Sequence, residues 1–293
     1  MTNRVGIIGL GNMGGAIAGN LVSAGFSVIG FDIDEAAVSR ASERGVSIAK
    51  NVTSVVDQAE VVIISLASPG ALKLVTEELA TKNWDNRILV KTGTFKLADK
   101  MEAKSTLEQG NISLLDRPLS GTGHQARTGD LVVFTSGDEQ AVKKCSEIFK
   151  GFSREEKYCG EFGNGIRMKY VANHLIAVHN VAAAEAMVFG MKAGLDPKLI
   201  FNTLEDSAGT SRMSQVRGPL MVKNNYDDVG ATNTLFKKDL DVITDFASDI
   251  NCSVPLFSIA AQPYRAIMDT DLVDKDTAAV CKLLEEMNGI KRQ

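Results

Sequence analysis

A glycine-rich turn near the start of the chain has the residue types and spacing of a phosphate-binding loop. A short apolar run leads into Gly9-x-Gly11-x-x-Gly14, and a helical pattern follows. Glycines let the backbone turn sharply after a strand, and N–H groups at the start of the next helix can bind a pyrophosphate. A second apolar run, Ser27–Phe31, follows after a helix-length gap and ends in Asp32. An acid at this place would meet a ribose 2′-hydroxyl, so the order of strand, turn, helix, strand and acid favours dinucleotide binding over an ordinary glycine turn.

The acid also predicts which nicotinamide cofactor binds. A carboxylate at Asp32 accepts hydrogen bonds from the hydroxyls of an unphosphorylated ribose, whereas a 2′-phosphate there would meet like charge. No Arg or Lys occurs in the four residues after Asp32 to offset that repulsion. We therefore expect NAD rather than NADP, held by Asp32 and by the residues of the turn, Gly9, Leu10, Gly11, Asn12, Met13 and Gly14.

Composition places the chain among soluble globular proteins. The 293 residues suit two domains, 44% of them are hydrophobic, and the net charge of −4 gives no basic field for nucleic acid. We expect no membrane segment, because no apolar run reaches spanning length. The 4 cysteines have no metal or redox spacing, so reduced thiols and a cytoplasmic protein are expected. The 3 histidines are scattered and predict no metal site.

Strand-like and helical patterns alternate up to about residue 158. This order is typical of an α/β fold with a doubly wound, Rossmann-type parallel sheet. Strand patterns at 131–135 and 155–158 are predicted to extend the same sheet. Ligands bind such sheets at the carboxyl ends of the strands, so Leu66, which ends the strand pattern at 61–66, is predicted to line the cofactor.

The pattern changes at Gly163. An apolar, proline-free segment at 166–193 predicts one long helix, and only helical patterns follow it. The expected organisation is an NAD-binding domain at 1–162 and an all-helical substrate and oligomerisation domain at 163–293. A helix that is apolar on most faces needs cover, which predicts a homodimer or homotetramer.

Five motifs in order give the chain a family resemblance. It resembles the β-hydroxyacid dehydrogenases, which include 3-hydroxyisobutyrate dehydrogenase and tartronate semialdehyde reductase. The motifs are Gly9-x-Gly11-Asn12-Met13-Gly14, Asp116-x-Pro118-x-Ser120-Gly121 with Ala126-x-x-Gly129-x-Leu131, Gly163-x-Gly165-x-x-x-Lys169-x-x-x-Asn173, Glu185-Ala186 with Ala193-Gly194-Leu195, and Lys238-Asp239-Leu240.

The resemblance implies roles for particular residues. Lys169 and Asn173 are four apart and so project from one helix face. The resemblance makes Lys169 the acid/base that exchanges a proton with the substrate hydroxyl, and Asn173 a substrate-positioning amide. The turn at Ser120 and Gly121 can present N–H groups to an anion, and the resemblance assigns it, with Thr122, to the substrate carboxylate. Thr94 and Lys238 match positions that line the nicotinamide and ribose.

Four residues depart from the family pattern. Lys91 stands where relatives usually have an acidic residue and adds a charge beside the cleft. Thr122 replaces a glycine, His124 a small residue, and Ala231 a phenylalanine. Because of these changes, the sequence does not identify which hydroxy acid is the substrate. We interpret His124 as an exposed loop residue.

The expected activity is NAD-dependent hydride transfer to or from a small 3-hydroxy acid. The resemblance to 6-phosphogluconate dehydrogenase does not extend to decarboxylation, because its proton-donating glutamate, seven residues after the lysine, corresponds to Ile176. Three alternatives stay open: reduction of tartronate or succinic semialdehyde at the same site, an imine reductase, and a non-catalytic nucleotide sensor. Retention of Lys169 argues against the last two.

Overall fold

The computed structural model describes residues 3–121 and 123–292. The chain divides into two compact units within its longest helix, between Lys169 and Tyr170. The first unit combines parallel strands with helices, as predicted, and the second is built from helices.

Six parallel strands form the main sheet of the first unit: β1 (Arg4–Ile8), β2 (Ser27–Phe31), β3 (Ser47–Ile48), β4 (Val61–Ile64), β5 (Arg87–Lys91) and β6 (Ile112–Asp116). They lie in the order β3-β2-β1-β4-β5-β6. The order reverses between β1 and β4, and in open sheets of this kind the crevice at such a reversal is where ligands bind.

Helices cover both faces of this sheet. Adjacent residues on β1 serve different cores: Ile7 packs in one hydrophobic cluster and Ile8 in the other. Burial on both faces explains why the strands are continuous apolar runs rather than alternating ones. The helices of the first unit are α1 (Asn12–Ser23), α2 (Glu35–Glu43), α3 (Val52–Gln58), α4 (Pro69–Ala80), α5 (Leu97–Gln109), α6 (Gly123–Arg127) and α7 (Glu139–Lys150).

A separate three-stranded sheet contains β7 (Leu119–Ser120), β8 (Val132–Thr135) and β9 (Glu155–Tyr158). The prediction that the last two strands extend the main sheet is therefore wrong. Asp116 and Ser136 form an isolated bridge between the sheets. Beyond it, the carbonyl of Pro118 accepts from the N–H of Phe134 at 3.1 Å, but proline has no N–H to return, so the ladder is interrupted.

The helical unit follows the start of the long helix α8 (Asn164–Lys192). The other helices are α9 (Pro197–Glu205), α10 (Arg212–Lys223), α11 (Asn233–Asp249), α12 (Pro255–Ile267) and α13 (Val280–Met287), the last preceded by a 3₁₀ turn at Thr277–Ala279. The sequence did not predict α10, which contains Pro219. A capping box at Ser211 starts this helix, and Gly218 lets it approach Phe201, whose ring would lie 2.4 Å from an added Cβ.

Helix α8 is long enough, and apolar enough, to cross a membrane by length and composition alone, with a mean hydropathy of 1.3 in its most apolar window. The expectation that no segment reaches that length is therefore wrong. The helix nevertheless carries buried polar side chains that bind other parts of the helical unit. Asn180 is fully buried and donates to the carbonyl of Thr277 at 2.9 Å and to the hydroxyl of Tyr264. Such pairs are typical of a helix in a protein core.

Candidate functional site

Each of the three glycines of the first turn occupies its position for a different structural reason. Gly9 has a φ of +95°, and an added Cβ would lie 2.3 Å from the carbonyl oxygen of Ser65. At Gly14 an added Cβ would lie 1.9 Å from the carbonyl oxygen of Gly9. These two glycines allow the turn and the close packing of helix on strand. At Gly11, by contrast, a Cβ would meet no atom within 4 Å, so packing among the described residues does not require glycine there, and the open space suits a ligand that approaches the backbone.

Helix α1 begins at this opening without a side-chain cap, since its N-cap residue is Gly11. The N–H groups of Asn12 and Met13 belong to the first turn, whose donors have no acceptor within the helix. Together with the positive end of the helix dipole, they form an anion site of the kind that holds a pyrophosphate. The residues present therefore fit a dinucleotide.

Asp32 is held in place at the end of β2. One carboxylate oxygen accepts from the N–H of Leu10 at 2.6 Å, and the other accepts from the N–H of Asp34 at 2.9 Å. Each oxygen retains a further lone pair for a ribose hydroxyl. Asp32 also lines a cavity of about 460 Å³, together with Glu35, Val38, Ser39, Ser42, Glu43 and Ile48.

Arg40 of helix α2 and Arg44, which ends it, do not line this cavity. Arg40 lies 3.9 Å from the carboxylate of Asp34, and Arg44 donates to the carbonyl of Gly15 at 3.4 Å. Negative charge therefore dominates the lining, through Asp32, Glu35 and Glu43.

The loops after β4 and β5 place two further predicted residues, Leu66 and Thr94, at the carboxyl edge of the sheet, both half-buried. Lys91, which ends β5, was expected to add a charge beside the cleft. It is fully buried instead. Its Nζ lies 4.0 Å from the ring centroid of Phe95 and beneath Gly93, where an added Cβ would be 2.5 Å from that atom.

The predicted anion-binding turn begins at the end of β7. Ser120 is half-buried and Gly121 is exposed, while Thr122 lies outside the described residues. His124 is exposed, and its Nδ1 lies 2.6 Å from Nη2 of Arg127.

Arg117 anchors the chain before this turn. Its guanidinium is fully buried, lies 2.8 Å from Glu156 and stacks 4.0 Å from the centroid of Phe149. Burial lowers the pKa of Arg117, and the nearby Glu156 partly offsets this. An arginine remains charged under such a shift, so this ion pair fixes the backbone that leads to Ser120.

Lys169 and Asn173 lie one turn apart on α8, and both are buried, at 7% and 3% exposure. In the helical unit, Asn173 Nδ2 donates to Asp239 Oδ2 at 2.9 Å. Lys238, the predicted cofactor-lining lysine, lies with its Nζ 3.2 Å from Asp239 Oδ1.

Asp239 is a candidate site residue to which the sequence prediction assigned no role. Its signal was the Lys-Asp-Leu motif, of which only Lys238 was given a role. By accepting from the amide nitrogen of Asn173, Asp239 fixes the orientation of that amide and leaves its carbonyl oxygen for another donor.

No group of three or more His, Cys, Asp or Glu side chains within 3–121 and 123–292 lies at metal-binding distances.

Two family models match adjacent parts of the chain. Residues 4–162 match the NAD binding domain of 6-phosphogluconate dehydrogenase. Residues 163–284 match the model described as NAD-binding of NADP-dependent 3-hydroxyisobutyrate dehydrogenase.

Curated relatives cover nearly the whole length. Mitochondrial 3-hydroxyisobutyrate dehydrogenase of Mus musculus is 30% identical over 292 residues, covering 96% of this chain and 87% of the relative. L-threonate dehydrogenase of Pectobacterium atrosepticum is 26% identical, covering 98% of this chain and 94% of the relative.

Solved structures agree in fold. The 3-hydroxyisobutyrate dehydrogenase of Mycobacterium tuberculosis, described with L-serine, has a TM-score of 0.89 at 27% identity, covering 97% of this chain and 99% of that one. An imine reductase from Bacillus cereus has a TM-score of 0.58 at 15% identity, covering 96% and 99%. That second likeness shows the fold alone.

Proposed function

This chain belongs to the β-hydroxyacid dehydrogenase family and is an NAD(P)-dependent hydroxyacid dehydrogenase, and from that premise we propose that it oxidises a small 3-hydroxy acid of the 3-hydroxyisobutyrate type with NAD, without releasing CO₂. The observation that carries the proposal is the pair of buried polar residues on α8, Lys169 and Asn173, with Asp239 bound to the second. Burying an ammonium costs free energy unless other groups compensate its charge, so lysines at 7% exposure are uncommon.

In the proposed reaction, residues of this chain transfer a proton, bind the substrate carboxylate and position the substrate. Lys169, as a neutral amine, accepts the hydroxyl proton during oxidation and returns it as an ammonium during reduction. The backbone N–H groups and hydroxyl at Ser120 and Gly121 bind the carboxylate. Asn173, oriented by Asp239, hydrogen-bonds the substrate and sets its position. Bound nicotinamide supplies the hydride acceptor, which these residues lack.

Support for NAD over NADP comes from the charges at the end of β2. Asp32 is oriented by two backbone N–H groups, and Glu35 and Glu43 line the same cavity. A 2′-phosphate would be repelled by this lining, whereas ribose hydroxyls can donate to Asp32.

Support for the absence of decarboxylation comes from helix α8. Two turns after Lys169 the helix presents Ile176, which has no acidic hydrogen. The next acid along the helix, Glu185, is nine residues further on, about 13 Å by the helical rise. Without a proton donor at that place, the keto acid or semialdehyde is released with its carboxylate intact.

We also propose that two or more copies of the chain associate through α8. Only 39% of its most apolar window is buried within one copy. The outward side chains include Met168, Val171, Leu175 and Phe189, with Phe189 77% exposed. Their spacing of three, four and fourteen residues places them along one stripe, and such a stripe is typical of a subunit interface.

The test is an activity screen with matched substrates and both cofactors. Purified enzyme is assayed for NADH and NADPH formation with small 2-, 3- and 4-hydroxy acids, including L-threonate, and in reverse with tartronate and succinic semialdehydes. The expected result is NAD-linked oxidation of a small 3-hydroxy acid, with its keto acid or semialdehyde recovered and no CO₂ above the rate of spontaneous decomposition. Exclusive use of 2-hydroxy acids, or CO₂ release that tracks NADH, would contradict the proposal.

A further inference from the structure

A fully buried carboxylate joins two parts of the proposed site within the first unit. Asp116 ends β6 at 0% exposure. Its N–H donates to the carbonyl of Ser136 at 3.0 Å, and its carbonyl accepts from the N–H of Ser136 at 2.8 Å. This double hydrogen bond fixes the backbone four residues before Ser120, at the start of the turn assigned to the substrate carboxylate.

The side chain of Asp116 holds the first turn of α8. Asp116 Oδ2 accepts from the N–H of Ile166 at 2.7 Å, and the Ser136 hydroxyl lies 3.3 Å from the same oxygen. That hydroxyl in turn accepts from the N–H of Gly165 at 2.9 Å. Two helix-start donors that have no acceptor within the helix are thereby satisfied by buried groups.

The helix start lies so close to the sheet that only glycine fits at its second position. An added Cβ at Gly165 would be 2.6 Å from the carbonyl oxygen of Phe134 and 2.8 Å from that of Asp116. This close approach explains the second glycine of the Gly-x-Gly motif before Lys169. Because Lys169 is three residues after Ile166 and four after Gly165, it stands about one helical turn from the anchored N–H groups.

We propose that Asp116 is a positioning residue for proton transfer: its main chain fixes the turn at Ser120, and its side chain fixes the helix start that carries Lys169. The inference rests on the proposed roles of Lys169 and Ser120. Proton transfer and substrate orientation are sensitive to shifts of about 1 Å, which cost about 10²-fold in rate. A single buried group that binds both segments is suited to keeping the turn at Ser120 and the start of α8 at a fixed distance from each other.

The charge of Asp116 is part of this role. Its two oxygens face different donors, because Oδ1 pairs with the buried ammonium of Lys100 while Oδ2 faces Ile166. An asparagine offers one oxygen and one NH₂ group, so one of the two donors would meet another donor. The amide therefore cannot hold the helix start and accommodate Lys100 at the same time.

The decisive variant is Asp116→Leu combined with Lys100→Met, which keeps the size of the side chain, removes the oxygen that accepts from Ile166, and leaves no buried ammonium alone. Ser136→Ala is the milder second variant, since it keeps the ion pair and removes the hydroxyl that links the N–H of Gly165 to Asp116. Asp138→Ala is the matched control, because Asp138 also accepts a helix-start N–H, from Ala141 at 2.8 Å, but on α7. All are compared with the wild type for thermal unfolding, NADH binding by fluorescence, kcat, KM and the solvent deuterium isotope effect on kcat.

The double variant is expected to bind NADH within about threefold of the wild type and to lose about 10²-fold in kcat, with a larger solvent isotope effect because proton transfer becomes slower. Ser136→Ala should lose several-fold in kcat. Asp138→Ala should lower Tm and leave kcat and the isotope effect within about twofold.

A folded double variant with kcat and solvent isotope effect within about twofold of the wild type would overturn the inference. If the double variant does not fold, Ser136→Ala serves as the test instead. An unchanged kcat and an unchanged solvent isotope effect in Ser136→Ala would also overturn the inference. Lys169→Met separates the two proposals. Normal turnover in Lys169→Met would contradict the proposed function. Loss of activity in Lys169→Met together with normal activity in the Asp116 and Ser136 variants would contradict only the inference about Asp116.

Discussion

Asp32 leads to a quantitative prediction about cofactor choice. Asp32→Asn removes the charge, keeps the shape, and retains one oxygen to accept from the N–H of Leu10 or Asp34. The wild-type enzyme is expected to prefer NAD over NADP in kcat/KM, and the variant is expected to lose most of that preference.

The magnitude follows from the position of Asp32, half-buried at the rim of an open cavity. At about 5 Å and an effective dielectric constant of about 40, two unit charges interact by about 1.7 kcal/mol. A 2′-phosphate carries about −1.5 to −2 charges, which gives about 3 kcal/mol of repulsion, or about 10²-fold against NADP. Losing charge-assisted hydrogen bonds to ribose costs NAD about 1.4 kcal/mol, or tenfold. The ratio of kcat/KM values should therefore fall by about 10²- to 10³-fold.

The assay is the initial rate of absorbance change at 340 nm with each cofactor at a fixed hydroxy-acid concentration and constant ionic strength. Glu43→Gln is the matched control, because it makes the same change of charge in the lining of the same cavity. It should alter the ratio by less than about threefold, since solvent screens an exposed charge that does not touch the ribose. A wild type that prefers NADP, or an Asp32→Asn ratio within twofold of the wild type, would refute the assignment.

Three further predictions test catalysis, burial and assembly. Lys169→Met should lose at least about 10²-fold in kcat while the Kd for NADH, measured by fluorescence, stays within about threefold; normal turnover would contradict its role. Burial raises the pKa of Cys145 to about 11 and that of Cys281 to about 12, so the thiolate is scarce at pH 8. Titration with a disulfide reagent at that pH should modify exposed Cys252 quickly and these two only after denaturation, and rapid modification of all three in the native protein would contradict their burial. Sedimentation should show a dimer or larger assembly that Leu175→Glu weakens, and a wild-type monomer at micromolar concentration would contradict the proposed interface.

The parallel sheet and its first glycine turn were predictable because each is specified locally. Strands buried on both faces need continuous apolar runs, and these stand out in the sequence. Helix starts are equally local. Asp34, Asn51 and Ser68 each accept an N–H from the first turn of the helix that follows, so residue type at a single position marks the starts of α2, α3 and α4.

The features that escaped prediction depend on contacts between distant parts of the chain. Helix α10 contains residues that disfavour helices, and it forms beside Phe201, where only the absent side chain of Gly218 leaves room. The second sheet depends on the pairing of β8 with β7 and β9 rather than with β6. Neither outcome can be obtained from periodicity, because both are decided by which backbone the segment meets.

Buried charges are the instructive case, because residue type alone predicts that Lys91 and Asp116 are solvated. Each is the last residue of its strand and follows an apolar run, and in a parallel sheet the last residues of neighbouring strands lie side by side. Lys91 and Asp116 are Cα partners between β5 and β6, and both are fully buried. A charge at the last position of a strand that is buried on both faces lies at the carboxyl edge, where such sheets bind ligands. Position in the sheet therefore predicts the surroundings of these residues better than their polarity does, and it explains why the same edge supplies both the anchoring carboxylate and the residues assigned to the cofactor.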